Sequence, residues 1–404
     1  MKWIKSVFST VIILLVAVSA WSADYYVAKN GNDTNPGTES HPWKTIQKAA
    51  STLRPSDTVY VKAGTYNESI VIKRSGSNES SRIVFSAYPG HTPVLDGKGK
   101  VSKWRGVIYS NAGNVNYITI DGFEIKNSIA YGIRIDDCHH WIITNCNIHN
   151  VGEDGFLGVY TNNTLVQNNK VHNTGWNGIS IMGGGNNIIE YNDIYDNKEH
   201  CGFQFITNHT DRDTSFYSNN IARFNRVSGN RHGCYFRNQK SMKIYGNYIY
   251  NNTANNGYAG IFLHNGDGSS SSFDSNSEIY NNTIVGHPKS IANSSHRNVT
   301  YWNNIFYKPS SEPFRLTGSG KVGQKMDYNC YYGKDFSMEG GNGFYSDPLF
   351  VDSSKDNYSV KMGSPTLGTG KNGDDVGAHA FKSSDNNDND KLVAPNSLKV
   401  VNNN

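Results

Sequence analysis

Asn145-Cys146-Asn147-Ile148, Asn168-Asn169-Lys170-Val171, Tyr191-Asn192-Asp193-Ile194, Phe224-Asn225-Arg226-Val227, Gly246-Asn247-Tyr248-Ile249 and Asn281-Asn282-Thr283-Ile284 are copies of one short phrase. Its closing apolar residue falls 23 residues apart from Ile125 to Ile148, to Val171 and to Ile194. A step that regular marks a solenoid, in which one repeat is one turn and cannot bury its apolar side alone. The stretch from Ile118 to Phe306 is therefore the body of the molecule.

Around each copy lie short runs in which apolar and polar residues alternate, such as Tyr117-Ile118-Thr119-Ile120-Asp121 and Trp141-Ile142-Ile143-Thr144-Asn145. None has a 3.6-residue period, so the turns are built of about three strands each and not of helices. Asn169, Asn192, Asn225, Asn247, Asn282 and Asn304 share one column, which Phe123 and Cys146 occupy in the first two repeats. Asparagine tolerates left-handed backbone and bonds its own main chain. The column thus reads as an asparagine ladder at the tight corner of an all-β, right-handed parallel β-helix.

The 404-residue chain is only 18% charged, with a net charge of +4. Residues 1–20 carry Lys2 and Lys5, an apolar run from Val11 to Val18 and the small-x-small site Val18-Ser19-Ala20. That is the pattern of a secretory signal peptide, and the run is short for a membrane span. Its removal takes the charge from +4 to +2, which gives no bulk case for nucleic acid or an anionic membrane as partner. A secreted monomer is expected, with residues 21–382 as one β-helix domain and 383–404, polar and free of glycine, as a flexible tail or linker. Thr45 to Leu53 has helical spacing, with Ile46, Ala49, Ala50 and Leu53 on one face, and predicts a helix capping the open end of the solenoid. The five cysteines fit no disulfide framework or zinc motif and read as core, with a Cys138–Cys146 bridge as an alternative.

One strand per turn opens with glycine: Tyr131-Gly132-Ile133-Arg134, Asp154-Gly155-Phe156-Leu157, Asn177-Gly178-Ile179-Ser180, Cys201-Gly202-Phe203-Gln204, His232-Gly233-Cys234-Tyr235 and Ala259-Gly260-Ile261-Phe262. If the residue after glycine points inward, Arg134, Leu157, Ser180, Gln204, Tyr235 and Phe262 form an outward row, with Arg237 and His264 two residues further along their strands. Aromatic and arginine side chains on such a track suit a sugar polymer bearing carboxylates. The turns lengthen to 33 residues between Ile194 and Val227 and to 35 between Ile249 and Ile284, and the inserted stretches Asn208 to Ser218 and His264 to Ser277 predict loops walling a cleft. Trp176 is expected to shield a corner.

The opening Tyr25-Tyr26-Val27-Ala28-Lys29-Asn30-Gly31, continuing to Asp57-Thr58-Val59-Tyr60-Val61, and the closing stretch from Asp347 to Phe381 resemble the ends of secreted β-helix proteins of the pectate-lyase-like superfamily. The resemblance implies a polysaccharide lyase that cleaves a uronic-acid polymer, of pectate or alginate type, by β-elimination. Glu153-Asp154-Gly155-Phe156 is similar to a calcium-binding (Ca2+) segment of one pectate lyase family, although the third carboxylate of that pattern is Leu157 here. Tyr235-Phe236-Arg237-Asn238 resembles the strand that carries the catalytic arginine in lyases acting on alginate and dermatan-type chains. Asn230-Arg231-His232-Gly233 resembles a segment of mannuronan epimerases. From these, Arg237 neutralises or helps deprotonate the uronate, His209 or His232 is the base, and Tyr235 donates to the leaving oxygen. Arg134, Gln204, Arg212 and His264 contact the substrate, and Glu153 and Asp154 hold calcium. The alternatives are a glycoside hydrolase using Asp211 and Asp213, a uronan C5-epimerase, or a non-catalytic glycan-binding surface protein.

Overall fold

The structure, a computed structural model, describes residues 22–378 apart from 112, 208–217, 254–257, 265–272 and 338–339. The expected leader at 1–20, the tail at 383–404, and His209, Asp211, Arg212 and Asp213 therefore lie outside the described residues.

Strands of the repeat pair only with the equivalent strands one turn before and after, so the chain winds into three long sheets of 12, 12 and 10 parallel strands. The marker residues stack in register: Ile148 pairs with Val171, Val171 with Ile194, Ile194 with Val227, Val227 with Ile249, Ile249 with Ile284 and Ile284 with Phe306. The two long turns thus leave the column unbroken, as expected if the added residues leave the coil as loops. Each marker is fully buried, and each buried side chain of this size contributes about 1.5–3 kcal/mol. Stacking, not any single turn, supplies the core.

The asparagine column is a buried ladder, but its backbone differs from expectation. Positive φ belongs to the residue before each column asparagine: Asn168, Tyr191, Phe224, Gly246, Asn281 and Asn303 lie between 51° and 66°. The column asparagine instead turns inward. Its Nδ2 donates to Oδ1 of the next turn's asparagine, which also accepts its backbone N–H, from Asn169 to Asn192 and onward through Asn225, Asn247, Asn282 and Asn304 to Asn329. A corner that removes backbone groups from the strand ladders must satisfy them otherwise, and one amide per turn does so. Shorter ladders, Asn187 to Asn220 and Asn197 to Asn230 to Asn252, serve other corners.

The capping helix spans Ile46–Thr52 with Thr45 as N-cap, and Ile46, Ala49, Ala50 and Leu53 are all buried as expected. Gln47 completes the cap: its side chain exchanges hydrogen bonds with both backbone groups of Val71 and stands in for a missing strand. At the far end an antiparallel pair, Phe350–Asp352 with Asn357–Val360, packs on Tyr250, Val285 and Tyr307. All five cysteines are buried free thiols, so the Cys138–Cys146 bridge is not formed. Among the described residues no helix is long and apolar enough to cross a membrane.

Candidate active site

The glycine-initiated strands form the 10-stranded sheet, and their alternation runs as the sequence implies. Ile133, Phe156, Ile179, Phe203, Cys234 and Ile261 point into the core and are fully buried. On the outer face Arg134, Leu157, Ser180, Gln204, Tyr235 and Phe262 stand in direct register. This row is not an open track throughout. Leu157, Ser180 and Gln204 are buried, and Gln204 is occupied in donating to Ser180 Oγ at 2.9 Å. Exposure expected from direction alone fails there because short and apolar side chains are covered by their own neighbours.

Beyond Gln204 the face becomes a cluster of rings. Tyr235 lies edge-on to His200 with centroids 4.9 Å apart and edge-on to Phe262 at 5.5 Å, and its hydroxyl is 3.4 Å from His264 Nδ1. His200 is flanked by His232 at 5.7 Å and by Trp176, which lies parallel to it at 5.7 Å and 2°. Trp176 is 46% exposed, so it presents a flat apolar face beside the cluster and does not seal a corner. Arg237, two residues along the strand from Tyr235, donates from Nε to Thr207 O at 3.1 Å and faces His264 in the next turn. The structure therefore brings together Tyr235, Arg237, His232 and His264. Arg134 lies four turns away, about 19 Å, where its guanidinium is held by Asp136 and by Trp104 O and lies over Tyr131.

His200, absent from the sequence-based set, has the most defined chemistry. The buried carboxylate of Asp154 accepts from Asn177 N at 2.9 Å and Asn177 Nδ2 at 3.0 Å. That fixes which end of the Asn177 amide faces His200, and Oδ1 lies 2.9 Å from His200 Nδ1. An amide oxygen only accepts, so Nδ1 carries the proton and Nε2 keeps its lone pair. No described residue donates to that Nε2. Burial, followed by the charges of Arg231 and Arg237, lowers the His200 pKa to about 4, so the ring is neutral at pH 7. His232 has the opposite tautomer: Nδ1 accepts from Tyr258 N at 3.2 Å, which leaves Nε2–H as a donor. Its pKa is also lowered to about 4, by burial first and then by His200 and Arg231. The signal for His200 was present in the sequence as the place two residues before the strand glycine, where Glu153, Trp176, Arg231 and Tyr258 stand in the other turns.

Glu153 and Asp154, expected to hold calcium, are not joined by a third such ligand among the described residues. Asp154 is buried, with Oδ1 taken by two N–H donors, and desolvation raises its pKa to about 6. Among the described residues no group of three or more His, Cys, Asp or Glu is placed to hold a metal ion.

Residues 25–174 match a family profile described as "Pel9A-like, right handed beta helix region", and residues 105–270 match "Right handed beta helix region". The fold is a right-handed parallel β-helix, and parts of the chain are similar to pectate-lyase-like families. Among individual proteins it is similar to pectate lyase PEL9 of Emericella nidulans, 35% identical over 79 residues that cover 19% of each chain. It is likewise similar to pectate lyase L of Paenibacillus polymyxa, 32% identical over 149 residues, 35% of this chain and 32% of that one. The chain thus spans a third or less of these curated relatives. The crystal structure of pectate lyase Pel9A superposes with a TM-score of 0.59 at 16% identity, covering 90% of this chain and 97% of the other, which is likeness of fold.

Proposed function

We propose that the protein is a secreted polysaccharide lyase that cleaves a uronic-acid polymer by β-elimination, with His200 as base, Tyr235 as acid and Arg237 facing the uronate carboxylate. The observation that carries this reading is the hydrogen-bonded series Asp154, Asn177, His200, which keeps one imidazole lone pair free on a ring edge-on to Tyr235. Support for a lyase also comes from the pectate lyases to which parts of the chain align.

In the reaction, His200 Nε2 takes the C5 proton α to the carboxylate. The released electron pair forms the C4=C5 double bond as the C4–O bond breaks, and Tyr235 gives its proton to the departing oxygen. Solvent then carries the imidazolium proton to the tyrosinate, which restores both groups. The charge that spreads onto the carboxylate is met by Arg237, in the manner of an oxyanion site. Tautomer fixing by a side-chain amide is needed because a histidine protonated on the wrong nitrogen cannot accept.

With His200 and Tyr235 ring to ring, 4.9 Å apart, this reading puts base and acid on one side of the sugar, a syn elimination. That suits uronates whose C5 hydrogen and C4 oxygen share a ring face, as in β-D-mannuronate, over galacturonate, where they lie on opposite faces. The test is a panel of mannuronan, guluronan, polygalacturonate and a neutral glycan, with and without chelator, followed by unsaturated-uronate absorbance. Elimination on mannuronan that survives chelation is expected. Reducing ends without unsaturation would replace the reading with hydrolysis. Exchange of the C5 hydrogen without cleavage would replace it with epimerisation.

A further inference from the structure

The capping helix and the first two turns border an open hollow of about 470 Å³ whose walls include Gln47, Val71, Lys73, Arg74, Arg105 and Tyr109. Ligand pockets for small sugars and similar molecules begin at about 300 Å³. Its charge is of one sign. Lys73, Arg74 and Arg105 are exposed, none forms an ion pair with a described residue, and no carboxylate lines the hollow. Its floor is rigid. Tyr109 is buried, with the Arg105 guanidinium 5.5 Å from its ring centre, and Val71 is pinned through Gln47.

Register connects this hollow with the ring cluster. Tyr109 pairs with Val71 on one side and Arg134 on the other and therefore belongs to the same outward row that passes through Leu157, Ser180 and Gln204 to Tyr235. Five turns separate Tyr109 from Tyr235, about 24 Å at the spacing of adjacent strands. Along that line the first outward arginine, Arg134, is already neutralised by Asp136. The hollow is thus a separate concentration of uncompensated positive charge on the face that carries the cluster, and not a continuation of it.

We propose that this hollow is a distal anchoring subsite for the carboxylates of a polyuronate chain that extends from the ring cluster toward the capped end of the coil. The proposal rests on the lyase reading for the identity of the polymer, while the charge and shape of the hollow stand on their own. A chain long enough to reach from the cluster to the hollow gains both contacts, and a shorter one gains only the first.

The test uses the full chain with Lys73, Arg74 and Arg105 all replaced by alanine, beside a control with exposed Lys321, Lys334 and Lys361 replaced. Affinity is measured for alginate, for polygalacturonate and for size-graded oligomers of each, together with their turnover. The expected result is roughly tenfold weaker binding and higher KM on polymer for the first triple, with short oligomers unchanged and the control near the parent. Equal losses in both triples, or equal losses on short and long chains, overturn the distal subsite. Absence of unsaturated product from every substrate overturns the catalytic reading instead, and the affinity series still decides the subsite.

Discussion

His200 Nδ1 donates to Asn177 Oδ1 across 2.9 Å, and the same amide donates from Nδ2 to Asp154 across 3.0 Å. Three consecutive turns thus contribute one residue each to a line of bonds that runs from a buried carboxylate to the surface. The parallel register makes such a line inexpensive. Asp154 and Asn177 hold equal places in successive turns, about 4.8 Å apart, and His200, one residue before the equivalent Cys201, reaches back to Asn177.

His200 and His232 separate the reading cleanly. Replacing His200 with alanine is expected to lower kcat by about 10²- to 10⁴-fold, the range for loss of a general base. Replacing His232, whose Nδ1 is taken by Tyr258 N, is expected to cost far less. Equal losses from both, or a larger loss from His232, would reverse the assignment. Rates on mannuronan decide it.

Activity should persist well into acid. The folded pKa of His200 lies near 4 because burial, Arg231 and Arg237 oppose the imidazolium. The base is therefore lost only as pH falls toward that value, and the acid limb of kcat/KM should sit well below 6.5. Arg237→Gln removes one opposing charge, so its residual activity should show that limb moved upward. A limb near 6.5 in the parent, unmoved in the variant, would contradict the assignment.

Much of this architecture is legible in the sequence because a solenoid writes its period directly. The marker residues, the capping helix and the inward row need only alternation and count, and all stand where spacing puts them. The ladder asparagines were found by column. Their backbone was misplaced by one residue, because the same amino acid serves at the left-handed position, as at Asn168 and Asn281, and at the inward one. The site was harder to read. His200 precedes an ordinary strand, and its importance arises from Asn177 and Asp154, 23 and 46 residues earlier, through bonds that no local pattern records. Asp154 beside Glu153 looked like a metal ligand, since sequence shows the charge and not the two N–H donors that occupy it.

Trp176 offers a prediction about binding alone. It is exposed and parallel to His200, and the ring face is placed to take the apolar side of a sugar. Trp176→Ala should raise KM roughly 3- to 10-fold, the scale of one aromatic stacking contact. Unfolding midpoints should stay close to the parent. A large stability loss with normal KM would return Trp176 to a structural role.

Acid should also weaken the fold itself. His287 and His296 are buried with pKa values lowered to about 3, chiefly by desolvation. The unfolded chain protonates these rings near 6.5, whereas the folded chain does not, so below about 6.5 unfolding takes up protons. Stability must then fall as pH drops from 6.5 toward 3, by up to about 1.4 kcal/mol per pH unit for each ring. Urea midpoints at pH 7, 6 and 5 measure this. His287→Asn should flatten the slope, and an unchanged slope would show that the acid sensitivity lies elsewhere.

The ladder can be broken at its middle and compared with its rim. Asn225 is fully buried; its Nδ2 donates to Ile189 O and to Asn247, and its Oδ1 accepts both N–H groups offered by Asn192. Alanine at 225 leaves Ile189 O and two Asn192 donors without partners in a dry interior. At about 1–3 kcal/mol for each of the three buried orphans, the loss should be about 3–9 kcal/mol. Asn168, one place before the ladder's first asparagine, Asn169, holds a φ of 55°. Alanine there only strains a left-handed backbone, at about 1–2 kcal/mol. Urea unfolding of the two variants should therefore rank Asn225→Ala well below Asn168→Ala. Equal losses would mean that the corners are held by backbone shape alone and that the amide ladder adds little.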